Sequence, residues 1–221
     1  MLGSELGDIK ELKQKATGVR NLGRYSQALN MFDKAITGLK TLEESGRLDK
    51  YEASNVRAEL ADTYGMKGGV YRRWVELPNH LDLALEQYRK GLEIERIDKR
   101  STYNASNVIS LAITQDRKPL DVGLLEELDR VIQRLEVETK GDRADEFWAW
   151  ADLAQFYLLR NDAPRARSGY KQALERGPTA EERQRYVDIL RGLAQATQAS
   201  SPELAQRITA FVEEIEQSQT R

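Results

Sequence analysis

Apolar residues recur along this chain at spacings of three and four, and the alternation of Val, Ile, Thr and aromatic residues that marks strands is missing. Leu, Ala, Glu, Lys, Arg and Gln fill most of the rest, and all are good helix formers. Ile9, Leu12, Ala16 and Val19 form the first stripe. After Asn21-Leu22-Gly23-Arg24-Tyr25, a second stripe carries Ala28, Phe32, Ala35 and Leu39. A new pair starts near Tyr51, with Leu60, Ala61 and Tyr64 on one helix and Ala84, Tyr88 and Gly91 on the next. Between them, residues 68–81 read as an extended insertion. On this reading Gly65, Gly68 and Gly69 serve as helix end and loop, and Tyr71, Trp74 and Val75 fold back on the helices.

The third pair holds Val108, Leu111 and Ala112, then a helix opened by Asp121 with Leu124, Leu125, Leu128, Ile132 and Leu135. Tyr51-Glu52-Ala53-Ser54-Asn55-Val56 returns as Tyr103-Asn104-Ala105-Ser106-Asn107-Val108, which marks two equivalent helix starts. Ser54 and Ser106 are candidate caps there. In the last pair, Thr179 with Glu182 fits a capping box. Ser201-Pro202 then opens a helix carrying Leu204, Ile208, Phe211 and Ile215, and residues 217–221 should fray. The pattern divides one domain, 1–221, into hairpins at 5–44, 51–98, 101–140, 146–177 and 179–217.

The fourth hairpin is the fullest. Trp150, Leu153, Ala154 and Tyr157 share one helix, the turn Asn161-Asp162-Ala163-Pro164 follows, and Ala166, Tyr170, Ala173 and Pro178 complete the set. Small residues facing large ones let two antiparallel helices approach closely. The segment resembles the tetratricopeptide repeat (TPR) consensus at each of its customary positions. The resemblance implies an all-α, right-handed superhelical solenoid of about five antiparallel helix pairs. It also implies a non-catalytic protein–protein interaction scaffold or adaptor that binds a partner protein or peptide in a concave groove lined by the first helix of each pair.

On that geometry the groove stripe of the first hairpin is Lys10, Lys13, Gln14, Thr17, Arg20 and Asn21, and that of the second is Asn55, Glu59, Asp62 and Met66. Asn107 echoes Asn55 in the third. In the fourth, Trp148 lies about 200° round the helix from Trp150, with Asp152, Gln155 and Leu159. Trp148 either faces the groove or packs against the preceding hairpin, whereas Trp150 belongs to the core. TPR domains that clamp a terminal carboxylate use a Lys/Asn/Lys/Arg set. Only Lys13 matches it, with Gln14 and Glu59 where that clamp uses Asn. The stripes are basic in the first hairpin and acidic in the second and fourth, which points to a ligand of mixed charge.

Composition narrows the alternatives. The 34 basic and 36 acidic residues leave a net charge of −2, so nucleic-acid binding is not expected, and the Arg-rich 160–185 segment reads as a solvated helix face. That segment would serve a nucleic-acid-associated role if there were one. A homo-oligomeric structural element, with Trp74 or Trp148 at a self-interface, is the other alternative. With no cysteine, one histidine (His80, read as a surface-loop residue) and adjacent carboxylate pairs that diverge on their helices, no catalytic residue, metal site or cofactor is expected. No apolar run approaches the roughly 20 residues a membrane span needs, and Met1 to Glu5 shows no leader. The expectation is a soluble, cytoplasmic protein.

Overall fold

The computed structural model describes residues 2–98, 101–116 and 122–219, and among these every regular element is an α-helix. In chain order they are α1 (Leu2–Asn21), α2 (Tyr25–Glu44), α3 (Lys50–Arg73), α4 (His80–Asp98), α5 (Tyr103–Asp116), α6 (Val122–Glu138), α7 (Phe147–Leu159), α8 (Ala163–Glu175), α9 (Ala180–Thr197) and α10 (Pro202–Gln219). The chain forms two compact units, Met1–Val108 and Ile109–Arg221. Asp121 as the opener of α6, and the last two residues of the fraying tail, lie outside the described residues.

In the first unit the predicted stripes are the core. Ala16, Ala28, Phe32 and Val70 are fully buried together, with Val19, Leu29 and Met66 packed against them. Ile36, Leu39, Leu42, Val56, Leu60 and Tyr64 form a second cluster. Val70 sits inside the segment expected to be an insertion, which corrects that expectation. α3 runs through Gly65, Gly68 and Gly69 to Arg73, and the connection to α4 is a short turn with Asn79 at φ 56°.

Gly65 and Gly68 are there for close approach rather than for a loop, whereas a Cβ on Gly69 would meet only ordinary contacts from 3.7 Å. A Cβ on Gly68 would stand 3.0 Å from the Tyr88 ring, and one on Gly65 would stand 2.5 Å from the ring of Tyr103. Each glycine costs a helix roughly 1 kcal/mol relative to alanine, and the aromatic rings they admit bury far more area than a methyl would. His80, expected on a surface loop, is the first residue of α4, with its Nδ1 3.2 Å from the Leu77 carbonyl.

The echoed hexapeptides do begin helices, but Ser54 and Ser106 cap neither of them. Asp49 and Glu52 form a capping box on α3. At α5, the Ser101 hydroxyl accepts from the Tyr103 amide, and the buried Glu95 carboxylate of α4 accepts from the amides of Asn104 and Ala105. The one position at which the hexapeptides differ, Glu52 against Asn104, is where the two ends are held differently.

In the second unit α7 is buried nearly all round, from Phe147 and Ala149 through Ala151, Leu153, Ala154 and Phe156 to Leu159. Ala166, Tyr170 and Ala173 of α8 meet it as the repeat pattern requires, and a Cβ on Gly169 would come within 3.3 Å of Ala154. Asp162 caps α8, and Gly177 adopts the left-handed conformation (φ 64°) just after it. Tyr170 stacks on Tyr186 of α9 at 5.3 Å and meets Phe211 of α10 edge-on at 6.1 Å, so one aromatic cluster joins three helices. The Thr179–Glu182 capping box and the start of α10 at Pro202 match the sequence expectation. Trp150 departs from it. The ring is half-buried, donates from Nε1 to the Ala144 carbonyl at 2.8 Å, and is covered by the Arg176 guanidinium at 4.7 Å.

Candidate protein-interaction surface

Lys13, Glu59 and Asp62, chosen as basic and acidic groove residues, turn to one another. Lys13 on α1 is 6% exposed, and its Nζ lies 2.5 Å from Glu59 and 2.8 Å from Asp62 on α3, while Lys10 reaches Glu59 at 3.2 Å. Burial alone would lower the Lys13 pKa, but the charge and hydrogen bonds of Asp62 and Glu59 outweigh it and hold the ammonium above its usual value. Burial likewise raises Glu59, and Lys13 and Lys10 overcome that, leaving its carboxyl below the usual range. The mixed charge read as a ligand signature is therefore neutralised internally, which corrects that inference for Lys13 and Glu59.

The rest of the first unit's set divides by exposure. Thr17 donates to the Lys13 carbonyl, and Arg20 donates to the exposed Asn21 side chain from Nε and Nη2. Asn55 is half-buried, and Asp62 keeps 55% of its side chain in water. Asn107 is also half-buried: its Nδ2 donates to the Tyr103 carbonyl, and its Oδ1 accepts from Arg72 Nη1 at 3.0 Å. The sequence singled out Asn107 but passed over Asn104, the residue that ties three helices together. Asn104 Nδ2 donates to the Ala61 carbonyl of α3 and to Glu95 of α4. A polar residue echoing the charged Glu52 gave no signal of burial. The glycines opposite it, Gly65 and Gly91, were the available clue.

In the second unit the expected binding stripe of α7 is largely internal. Gln155 is 2% exposed and donates to the Ser110 hydroxyl of α5 at 2.8 Å, and Leu159 is buried. Packing against the preceding helices is the outcome for Gln155, and it corrects the groove assignment. Trp148 stands half-buried beside the start of α9, edge-on to Phe147 at 5.1 Å. There the Thr179 backbone and side chain and the Trp148 indole, with the charge of Arg185, hold the Glu182 carboxyl below its usual range. Asp152 is half-buried, and its charge helps to raise the pKa of Arg143. The arginines of 160–185 are mostly paired. Arg160 meets Asp129, Arg165 meets Asp162, Arg167 meets Glu214 and Arg185 meets Glu181.

Among the described residues no group of three or more His, Cys, Asp or Glu side chains is placed to hold a metal ion. Among the described residues no helix is long and apolar enough to cross a membrane. The first unit has an open cleft at its surface. It has a volume of about 590 Å³ and is lined by Gly23, Arg24, Tyr25, Ser26, Gln27, Asn30 and Trp74.

Residues 5–112 match the model of the family described as Tetratricopeptide Repeats-Sensor. The matched span covers the first two hairpins and most of α5, whereas the fullest consensus match read from the sequence, Trp150 to Pro178, lies beyond it. No curated protein matches the chain. Among solved structures, the crystal structure of BtubC (BKLC) from P. vanneervenii aligns over 100% of this chain and 92% of its own, with 15% identity and a TM-score of 0.46. With hairpins α1–α2, α3–α4, α7–α8 and α9–α10 packed among the described residues and a repeat-family match over residues 5–112, this is a TPR-type helical protein.

Proposed function

We propose that this protein is a non-catalytic interaction module, an adaptor or regulator that binds a partner protein within a larger cytoplasmic complex. The observation that carries the reading is the TPR-type architecture, with its family match over the helices that bear most of the polar stripe. TPR-type proteins generally act by binding other proteins. On this reading the accessible part of the α1–α3 face, Asn21, Asn55 and Asp62 with Thr17 and Arg20, meets the partner. Lys13 and Glu59 act as the brace that sets the face, since each is committed to an internal partner. A polar face of this kind recognises main-chain and side-chain polar groups through the donor and acceptor of each Asn amide.

The test is capture by in-cell crosslinking in the native host, with the wild-type chain and with an Asn55→Ala/Asp62→Lys double variant. A defined partner that is retained by the wild type and lost at least tenfold from the variant is the expected result. Recovery of no protein partner by either chain would remove the reading. Equal recovery by both would remove the α1–α3 face from it.

A further inference from the structure

The cleft between the α1–α2 turn and the α3–α4 turn is built differently from the rest of the surface. Tyr25 and Trp74 form one wall, their rings 5.8 Å apart and tilted by 33°. Arg24 is the single charged residue in the lining, and no carboxylate lines it. Unlike Arg160, Arg165, Arg167 and Arg185, the Arg24 side chain makes no ion pair or hydrogen bond among the described residues. No side chain caps α2, and its first turn holds no acidic residue. Beside the lining, Leu22 and Val75 are 71% and 66% exposed, one on each turn.

We propose that this cleft docks an acidic peptide segment of a partner protein, with a carboxylate against Arg24 and an apolar side chain against Tyr25 and Trp74. Charge complementarity selects the occupant. An unpaired guanidinium without a competing carboxylate favours an anionic group, and its planar fork suits a carboxylate in particular. The aromatic wall and the flanking Leu22 and Val75 favour a residue such as Phe or Leu beside that carboxylate. A long basic or purely polar segment satisfies neither wall. The proposal rests on the reading that the partner is a protein, but it concerns a surface separate from the α1–α3 face.

The full chain labelled with ¹⁵N, titrated with hexapeptides that place one Phe or Leu among Asp and Glu, tests it. The expected result is a saturable shift of the Trp74 indole and of the Ser26 and Gln27 amides. Matched Asn/Gln peptides should bind at least tenfold more weakly, as should the acidic peptides to Arg24→Glu. Arg24→Gln should show an intermediate loss, and both variants should keep the wild-type spectrum elsewhere. Equal binding of acidic and amide peptides would overturn the proposal. So would shifts confined to other residues, or no shift at millimolar peptide. The same shifts produced by inorganic phosphate or a dT oligonucleotide but not by peptide would assign the cleft to phosphate. Their appearance on raising protein concentration alone would assign it to a second copy of the chain. A partner crosslinked equally by wild type and Arg24→Glu would sink the cleft while leaving the interaction-module reading standing.

Discussion

A lysine 6% exposed between two carboxylates is informative because its removal leaves charges that had been balanced. Lys13→Ala should cost about 1–3 kcal/mol, less than a fully buried pair because Asp62 still reaches water. Trp74 is the one tryptophan of the first unit, so urea unfolding followed by its fluorescence in a Trp148→Phe/Trp150→Phe background reads the change. The pH dependence has a definite sign. Folded Glu59 binds its proton less readily than unfolded Glu59, so its contribution is full above the ordinary value of 4.5 and fades as pH falls through the lowered folded value. Lys13 acts in the opposite sense: its contribution is full below 10.5 and is lost as pH rises through the raised folded value. Glu59→Gln should therefore flatten the acid limb of the stability profile, and an unchanged limb would show that the brace does not carry it.

Two glycines separate close approach from conformational permissiveness. A Cβ on Gly91 would lie 2.4 Å from Asn104, whose amide is held by Ala61 and Glu95 and has little room to retreat, whereas a Cβ on Gly18 meets nothing within 4 Å. Gly91→Ala should destabilise by about 1–3 kcal/mol through overpacking, and Gly18→Ala should stabilise by about 0.5–1 kcal/mol through helix propensity alone. Equal effects in a denaturant titration would mean that Asn104 yields.

At the scale of elements, legibility tracked how locally each helix end is made. The α9 capping box, the Pro202 start of α10 and the Asp162 cap of α8 are written in a few consecutive residues and could be read, or nearly read, from the sequence. α5 is started by Glu95 on the neighbouring helix, which no window along the chain reveals. The same blindness turned Gly65 and Gly68 into a helix end and a loop, since a glycine that admits a distant tyrosine looks, locally, like a helix breaker. The stripes of Phe32, Leu39, Tyr170 and Ala173 were legible because helical period alone decides which face is buried. The polar stripes were not, because period gives a direction and not the identity of what lies there. Glu95→Ala provides a check on α5: it leaves the amides of Asn104 and Ala105 without an acceptor and the Asn104 side chain with the Ala61 carbonyl alone. A loss of about 2–4 kcal/mol is expected, with the amides of Asn104 and Ala105 exchanging before those in the middle of the helix. Protection unchanged at those two amides would show that another group caps α5.

At the scale of the molecule, net charge and local charge tell one story by different routes. The count of 34 basic against 36 acidic residues argues only for overall balance, and a balanced chain can still present a basic stripe. The pairing of Arg160, Arg165, Arg167 and Arg185 with Asp129, Asp162, Glu214 and Glu181 shows that most of the Arg-rich segment is compensated side chain by side chain. Exposed pairs of this kind add little to stability. Their consequence is electrostatic, because a phosphate backbone would have to displace an acid at each of these four arginines before it gained a contact. Counterion release then contributes little, so a mobility-shift assay with duplex DNA or RNA should show no saturable complex near 50 mM salt, a condition in which phosphate binders are strongest. Replacing Asp129, Asp162 and Glu214 by Ala should unmask the segment and bring weak, salt-sensitive binding of the same duplexes. Tight binding by the wild-type chain that falls steeply with salt would contradict the compensation, whereas binding gained only by the triple variant would show that the acidic partners keep this face from attracting polyanions.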